Sequence, residues 1–374
     1  MPFQEHHVPA LAAKPSQTVP QSKRSMQPGS TVLVTGVSGN LGQRLLPMLS
    51  EFHVVGVDPA TPDVLAPIEF HCMDLGQEPS CRELTQVLRQ TGARAVVHLA
   101  FVVDPKRNGV LDVDRMWQIN VAGTARVMEA ISVVNRTGGR VSQFIYPSSV
   151  SAYGPETPGP VAEDAPLLAH TLPYAIHKRE SDEVVRYRAE SMGECHTYLL
   201  RPHIFTGSTV QNYMVGTLRG TALGSSPRAA RMRAHRQRLP LMLPMGKKYL
   251  EKQLQFVHID DVARLLVYLL QHAAAAPGLT VLNVAGHGDP LTLEDCAAIA
   301  QAKVRRVPGR SVAHRILKML WNRDISTVPP EALPYMIGSY TMDLSRLRQF
   351  LGPDYSRVMQ YSVEEALRDC FAPS

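Results

Sequence analysis

The segment from Thr31 to Asp58 leaves this chain little freedom in how it folds. The apolar run Thr31–Thr35 leads directly into Thr35-Gly36-Val37-Ser38-Gly39-Asn40-Leu41-Gly42. A helical pattern follows from Leu41 to Leu49, and a second apolar run, Val54–Val57, stops at Asp58. A strand, a glycine turn, a helix and a second strand form a unit that demands a parallel pair with a crossover. The three glycines have separate uses: a tight turn, a close backbone approach to a pyrophosphate, and packing of the helix against the strand. The start of the helix offers free N–H groups to phosphate oxygens. Asp58 lies 22 positions after Gly36, at the end of the second strand. A carboxylate there accepts hydrogen bonds from ribose hydroxyls and repels a 2′-phosphate, and no Lys or Arg in the loop or beside Asp58 could hold that phosphate. The segment is therefore expected to bind NAD in preference to NADP, through Gly36, Ser38, Gly39, Asn40, Leu41, Gly42 and Asp58.

The alternation continues. Helical patterns at Cys81–Gln90, Val113–Ile131 and Tyr174–Ser191 are interleaved with apolar runs at Ala95–Ala100, Phe144–Tyr146 and Tyr198–Leu200. Such a series predicts an α/β fold, a doubly wound parallel sheet of the Rossmann type. Beyond Arg201 the regularity weakens. Residues 219–255 read as loop-rich, Phe256–His272 as a strand end and an amphipathic helix, and Val281–Val284 as a further strand. The expected organisation is a leader over 1–29, a dinucleotide-binding domain over 30–202, and a smaller C-terminal substrate lobe over 203–374 that is interleaved with elements returning to the sheet. The leader is rich in Pro, Gln and Ser, lacks an apolar run, and reads as disordered.

Composition narrows the class. The net charge of +6, from 39 basic and 33 acidic residues, is too mild to indicate nucleic acid. The five cysteines are scattered and never paired as CxxC, so neither a disulfide framework nor a metal site is expected, and a cytoplasmic setting fits. No segment approaches the roughly 20 apolar residues of a membrane helix, and no membrane partner is expected.

Tyr174 and Lys178 are four apart, so on a helix they share a face, and they follow the serine-rich strand end Pro147-Ser148-Ser149. A tyrosine titrates near 10 and is a poor base at neutral pH. A neighbouring ammonium and a cationic nicotinamide would both favour phenolate, and a serine hydroxyl would hold the substrate oxygen while its proton leaves.

Together these residues resemble the extended short-chain dehydrogenase/reductase family, the NAD-dependent epimerase/dehydratase group. The resemblance runs from about Thr31 to Phe371 and rests on motifs in a fixed order. After the glycine loop come Asp74-Leu75, Val97-His98-Leu99-Ala100, Asn120-Val121-Ala122-Gly123-Thr124, and Tyr146-Pro147-Ser148-Ser149 leading to Tyr153-Gly154. Tyr174-xxx-Lys178, Leu200-Arg201-Pro202 and Phe256-Val257-His258-Ile259-Asp260-Asp261-Val262 complete the series. The resemblance implies that Tyr174 is the acid/base, that Lys178 binds the nicotinamide ribose and activates Tyr174, and that Ser149, rather than Ser148, is the catalytic hydroxyl. It also implies that Asp74 and Leu75 flank the adenine, that Ala100 lies beside the centre of the cofactor, and that Pro202 approaches the nicotinamide. Asn120 is structural, His98 a packed strand residue, and Asp260 and Asp261 serve helix capping and lobe attachment. A homodimer through Val113–Ile131 and Tyr174–Ser191 is the family expectation.

Two departures bear on the substrate. Phe101 stands where many members have alanine, and Pro202-His203-Ile204-Phe205 replaces an aromatic and an asparagine. Phe101 and His203 are thus candidate substrate contacts. So is Arg231, one of six arginines between Arg219 and Arg238, because a guanidinium fork suits a substrate diphosphate. The leading expectation is redox-neutral chemistry: Tyr174 removes a hydroxyl proton, a hydride passes to NAD, and it returns to the other face or after loss of water, on a nucleotide sugar. The alternatives are net oxidation or reduction of a steroid-like or phenolic hydroxyl, and an NAD-binding regulator without turnover.

Overall fold

The computed structural model describes residues 23–24 and 26–372, apart from 64–66, 104–105, 108–109 and 275. The expected leader lies almost wholly outside the described residues. Val32, Leu33 and Val34 are fully buried, as a strand covered on both faces must be. They belong to β1 (Thr31–Thr35), which is followed by α1 (Asn40–Leu45), β2 (His53–Asp58), β3 (Glu69–Cys72), α2 (Ser80–Thr91) and β4 (Ala95–His98). Then come α3 (Val113–Trp117), a π-helical turn at Gln118–Ala122, α4 (Gly123–Arg136), β5 (Gln143–Pro147), α5 (Pro173–Arg188) and β6 (His196–Pro202).

A late strand, Gly278–Val284, closes the far edge beside β6. The seven strands lie in the order 278–284, β6, β5, β4, β1, β2, β3, and every pairing is parallel. Apolar side chains of α2, α4 and α5 (Leu84, Val127, Val185) cover one face. The other face is covered by α1 and by the helix Ile259–Gln271. The doubly wound sheet is thus as expected. Strand β3 was not legible in the sequence: it is an edge strand with no fully buried residue, so it lacks an apolar run. The helix expected at Val113–Ile131 extends to Arg136 and carries the π turn.

The lobe has its own apolar core, which joins Tyr249, Leu254, Phe256, Leu293, Tyr335 and Met336 to Tyr153 and Ala175 of the sheet side. Its helices include α6 (Tyr213–Arg219), α7 (Pro227–Ala234), α8 (Ile259–Gln271), α9 (Leu293–Ile299) and α10 (Gly309–Asn322). The stretch read as loop-rich therefore contains α7, which begins at Pro227 with Ser226 accepting from the Ala229 amide. Of the two residues expected to cap and attach, Asp261 is buried and accepts from the amides of Gln360 and Tyr361, which ties down the C-terminal segment. Capping falls to His258, whose Nδ1 accepts from the Asp260 amide, while Asp260 pairs with Arg44.

Candidate active site

The glycine loop is built as its residue types require. Gly36 has φ +70, and a Cβ there would sit 2.4 Å from the Ala100 nitrogen, so no side chain is possible. A Cβ on Gly42 would lie 2.5 Å from the Val37 carbonyl oxygen, so this glycine lets α1 close onto its own loop. At Gly39 a Cβ would meet only the Gly36 carbonyl oxygen within 4 Å, and the backbone is open on that side. Asp58 reaches back to the loop, accepting from Ser38 N at 3.2 Å and Ala60 N at 3.0 Å. Asn40 is tied to the lobe side by donating to the Thr209 carbonyl at 3.0 Å, and Leu41 packs into the core under the sheet. An open loop backbone with a carboxylate at the neighbouring strand end fits the pyrophosphate and ribose of a dinucleotide.

Of the other expected cofactor residues, Ala100 borders this loop, close against Gly36. Ala100 N faces Thr35 Oγ1 at 3.4 Å. Asp74 accepts from Gly76 N and pairs with Arg115. The Leu75 side chain is buried between α2 and α4, and its carbonyl accepts from Arg126 at 3.0 Å. Pro202 ends β6 beside Val284. Asn120 is structural, as expected: its side chain both accepts from and donates to the Val102 backbone, at 2.7 and 2.8 Å. His98 is held between the hydroxyls of Thr35 and Thr124, at 2.6 and 3.0 Å. Burial, together with the Lys178 charge, pushes it down to about 3, so it is a neutral packing residue.

Tyr174, Lys178 and Ser149 converge at the C-terminal end of β5. The Tyr174 phenol lies toward Ser149, whose hydroxyl favours its ionised form. Ser149 Oγ accepts from Ser151 N and Ser151 Oγ, at 3.1 and 3.0 Å. Ser148 is turned the other way, with its amide on the Leu200 carbonyl and its hydroxyl on the Lys178 carbonyl. Lys178 is buried and donates to the Pro147 carbonyl at 2.8 Å. Its Nζ lies 3.6 Å from the centre of the Phe101 ring, and that ring stands edge-on to Tyr174 with centroids 5.6 Å apart. Burial pushes Lys178 down to about 7, against the favourable charge of Asp182.

In the protein without cofactor, burial holds the Tyr174 phenol above its usual value, and Ser149 acts in the opposite direction. The expected lowering takes the Lys178 ammonium together with a cationic nicotinamide.

A buried pair beneath the site was not read from the sequence. Arg201 donates Nε and Nη2 to the two oxygens of Asp182, both at 2.8 Å and both side chains fully buried. Arg201 Nη1 continues to Tyr153 Oη and the Glu163 carbonyl, each at 2.7 Å. Asp182 lies one turn beyond Lys178 on α5, so the pair anchors that helix to β6.

Two candidate substrate contacts are reassigned. His203 is buried, stacks on Tyr340 with the rings 8° from parallel, donates Nε2–H to the Tyr340 carbonyl at 2.9 Å and accepts at Nδ1 from Ile204 N. Burial pushes it down to about 4, and no polar atom of its ring is left for a ligand. Arg231 is exposed on α7, and among the described residues no contact joins it to Tyr174, Lys178 or Phe101. Its neighbours Arg233 and Arg238 hold backbone carbonyls of the lobe. Below α10 and α6 the lobe encloses an apolar cavity of about 80 Å³, lined by Leu241, Leu243, Ile316, Leu317, Leu320 and Met336 among others and by no arginine.

Known proteins share this architecture. A UDP-glucose 4-epimerase of Erwinia amylovora is 27% identical over 54% of this chain, so the chain matches only 57% of that relative's length. One of Dictyostelium discoideum is 22% identical over 76% of this chain and 84% of its own. The solved UDP-glucuronic acid 4-epimerase of Bacillus cereus, in complex with UDP-glucuronic acid and NAD, superposes with a TM-score of 0.60 at 20% identity, over 91% of this chain and 98% of that one. The family model described as "NAD dependent epimerase/dehydratase family" matches residues 32–285, from the glycine loop to just past the last strand of the sheet. The chain belongs to the NAD dependent epimerase/dehydratase family.

Proposed function

We propose that the chain removes and returns a hydride at a hydroxyl-bearing carbon of a nucleotide sugar, with no net oxidation. The observation that carries this reading is the meeting of Tyr174, Ser149 and Lys178 at the end of β5, where Lys178 holds the Pro147 carbonyl and Phe101 touches both Lys178 and Tyr174, together with the open glycine loop. The substrate class draws its support from the nucleotide sugar named with the Bacillus cereus structure. NAD, when bound, takes up the hydride and gives it back. Gly36, Ser38, Gly39, Asn40, Leu41 and Gly42 would hold its pyrophosphate, Asp58 its adenosine ribose, and Asp74, Leu75, Ala100 and Pro202 would border the rest. Ser149 holds the substrate hydroxyl, and Tyr174 takes its proton and later restores one. Lys178, charged, would lower the phenol's pKa and bind a ribose hydroxyl. Phe101 covers Lys178 and excludes water from it.

A second reading is net oxidation of an apolar alcohol. The arginines that argued for a diphosphate hold lobe carbonyls or stand exposed on α7, which removes their support for a sugar diphosphate. Incubation with a panel of nucleotide sugars and NAD separates the two: an isomerised or dehydrated sugar without NADH supports the first, and stoichiometric NADH from an apolar alcohol the second.

The quaternary state belongs to the same proposal. Trp117 and Tyr187, on α3 and α5, are 41% and 88% exposed, which is apolar surface suited to a homodimer through these helices. A cytoplasmic location draws support from five free cysteines. No helix among the described residues is long and apolar enough to cross a membrane.

A further inference from the structure

The basic residues that the active site does not use are concentrated on one part of the lobe. Residues 203–250 and 296–323 contain 15 Lys and Arg and no Asp or Glu, which leaves 24 basic residues and all 33 acidic ones in the remainder of the chain. The fold brings the two stretches together. Strand Leu241–Pro244 pairs in parallel with Val304–Val307. Helices α7 and α10 meet through a small cluster in which Ala229 and Met232 pack with Ile325 and Leu320.

Some of these cations serve the lobe itself, as Arg233, Arg238 and Arg306 do by holding carbonyls. Others point outward. Arg228, Arg231 and Arg236 on and after α7, and Arg315, Lys318 and Arg323 on and after α10, are exposed. One carboxylate, Asp324, follows Arg323 between the two helices and accepts from Ser225 N and Oγ.

Helix α10 is two-sided. Ala313, Ile316, Leu317 and Leu320 face the apolar cavity, while Arg315, Lys318, Asn322 and Arg323 face out. Met319 stands among those cations, 41% exposed and one turn from both Arg315 and Arg323. An ordinary solvated face mixes both signs of charge. A predominantly cationic face with an apolar side chain in its midst matches an anionic bilayer, where cations meet headgroups and the apolar group enters the interface. Nucleic acid fits less well, because the region's rings, Phe205, Tyr213, Tyr249 and Trp321, are not exposed as stacking platforms.

We propose that the α7/α10 face docks this protein on an anionic phospholipid surface. The expectation of no membrane partner concerned a crossing segment, and this face needs none. The proposal is independent of the substrate assignment.

The test is co-sedimentation of the full chain with phosphatidylcholine vesicles, with and without phosphatidylglycerol, at low and high salt, alongside binding to duplex DNA of arbitrary sequence. The protein should bind the phosphatidylglycerol vesicles and not pure phosphatidylcholine, and high salt should weaken binding. The combined variant Arg315→Glu, Lys318→Glu, Arg323→Glu should lose at least about tenfold in vesicle affinity, given the contribution of each surface cation. Met319→Ser should weaken vesicle binding and leave DNA binding unchanged. Should the triple variant fail to fold, as judged by thermal unfolding, Arg228→Glu on α7 carries the same expectation of weaker binding. Absence of binding to phosphatidylglycerol vesicles at low salt overturns the proposal. So does DNA binding as tight as vesicle binding with Met319→Ser without effect.

Discussion

The ammonium of Lys178 lies 3.6 Å from the centre of the Phe101 ring, closer to it than to the neighbouring Tyr146 ring at 5.2 Å. Phe101 joins the two residues proposed for catalysis, meeting Lys178 with its face and Tyr174 with its edge. A cation over an aromatic face is stabilised by the ring quadrupole, but the same ring keeps water away. Burial dominates, and Lys178 is held at about 7.

That value has a consequence for stability. A lysine whose folded pKa lies below its ordinary 10.5 destabilises the fold while it must carry its proton in the buried site. Between about 7 and 10.5 the unfolded chain binds more protons than the folded one, so stability from this group rises with pH across that window. Lys178→Met should therefore raise the thermal unfolding midpoint at pH below the window. The gain should shrink as pH rises through it. A gain that is the same at both ends would show that Lys178 is not depressed.

Replacing Tyr174 by Phe removes the proposed proton acceptor and keeps the ring that stands edge-on to Phe101, so the fold should stay intact. Turnover should fall by roughly 10²- to 10⁴-fold, the usual contribution of a positioned acid/base. Titration of the variant with NAD should show unchanged affinity. Retained turnover would remove Tyr174 from the chemistry.

Asp58 is the basis for expecting NAD over NADP. Its two oxygens already accept from Ser38 N and Ala60 N, and each still has capacity for a ribose hydroxyl. Asp58→Asn should weaken NAD by about ten- to a hundredfold, in line with a hydrogen bond to a charged group, and should narrow the preference over NADP. Equal binding of both nucleotides by the unaltered protein would contradict the assignment.

The buried pair Arg201–Asp182 makes a stability prediction. Asp182→Ala leaves a fully buried guanidinium without its carboxylate, and the expected loss is about 3–5 kcal/mol by chemical denaturation. Exchanging both residues for apolar ones of similar volume should recover most of it. A single variant as stable as the parent would mean that water reaches Arg201.

The two ends of the site were unequally legible in the sequence. Gly36, Gly42 and Asp58 could be read because a positive φ, a close approach and a strand end each demand one residue type at a fixed interval. Tyr174 and Lys178 could be read from helical spacing. Asp182 and Arg201 could not: they lie 19 positions apart on a helix and a strand, and only the packing of α5 on the sheet brings them together. His203 and the arginines misled for a related reason. A polar side chain in a loop-rich stretch looks available, but His203 satisfies both ring nitrogens internally and Arg233 and Arg238 hold carbonyls. Only the fold distinguishes a polar group that waits for a ligand from one already bonded.

The central claim is that a hydride leaves a hydroxyl-bearing carbon and returns to the same sugar molecule without net redox change. It is tested most directly with a nucleotide sugar deuterated at that carbon, with products followed by mass and NMR. The account predicts an isomerised or dehydrated sugar that keeps the deuterium, with no labelled NADH accumulating. Deuterium collected in NADH in proportion to an oxidised product would contradict it.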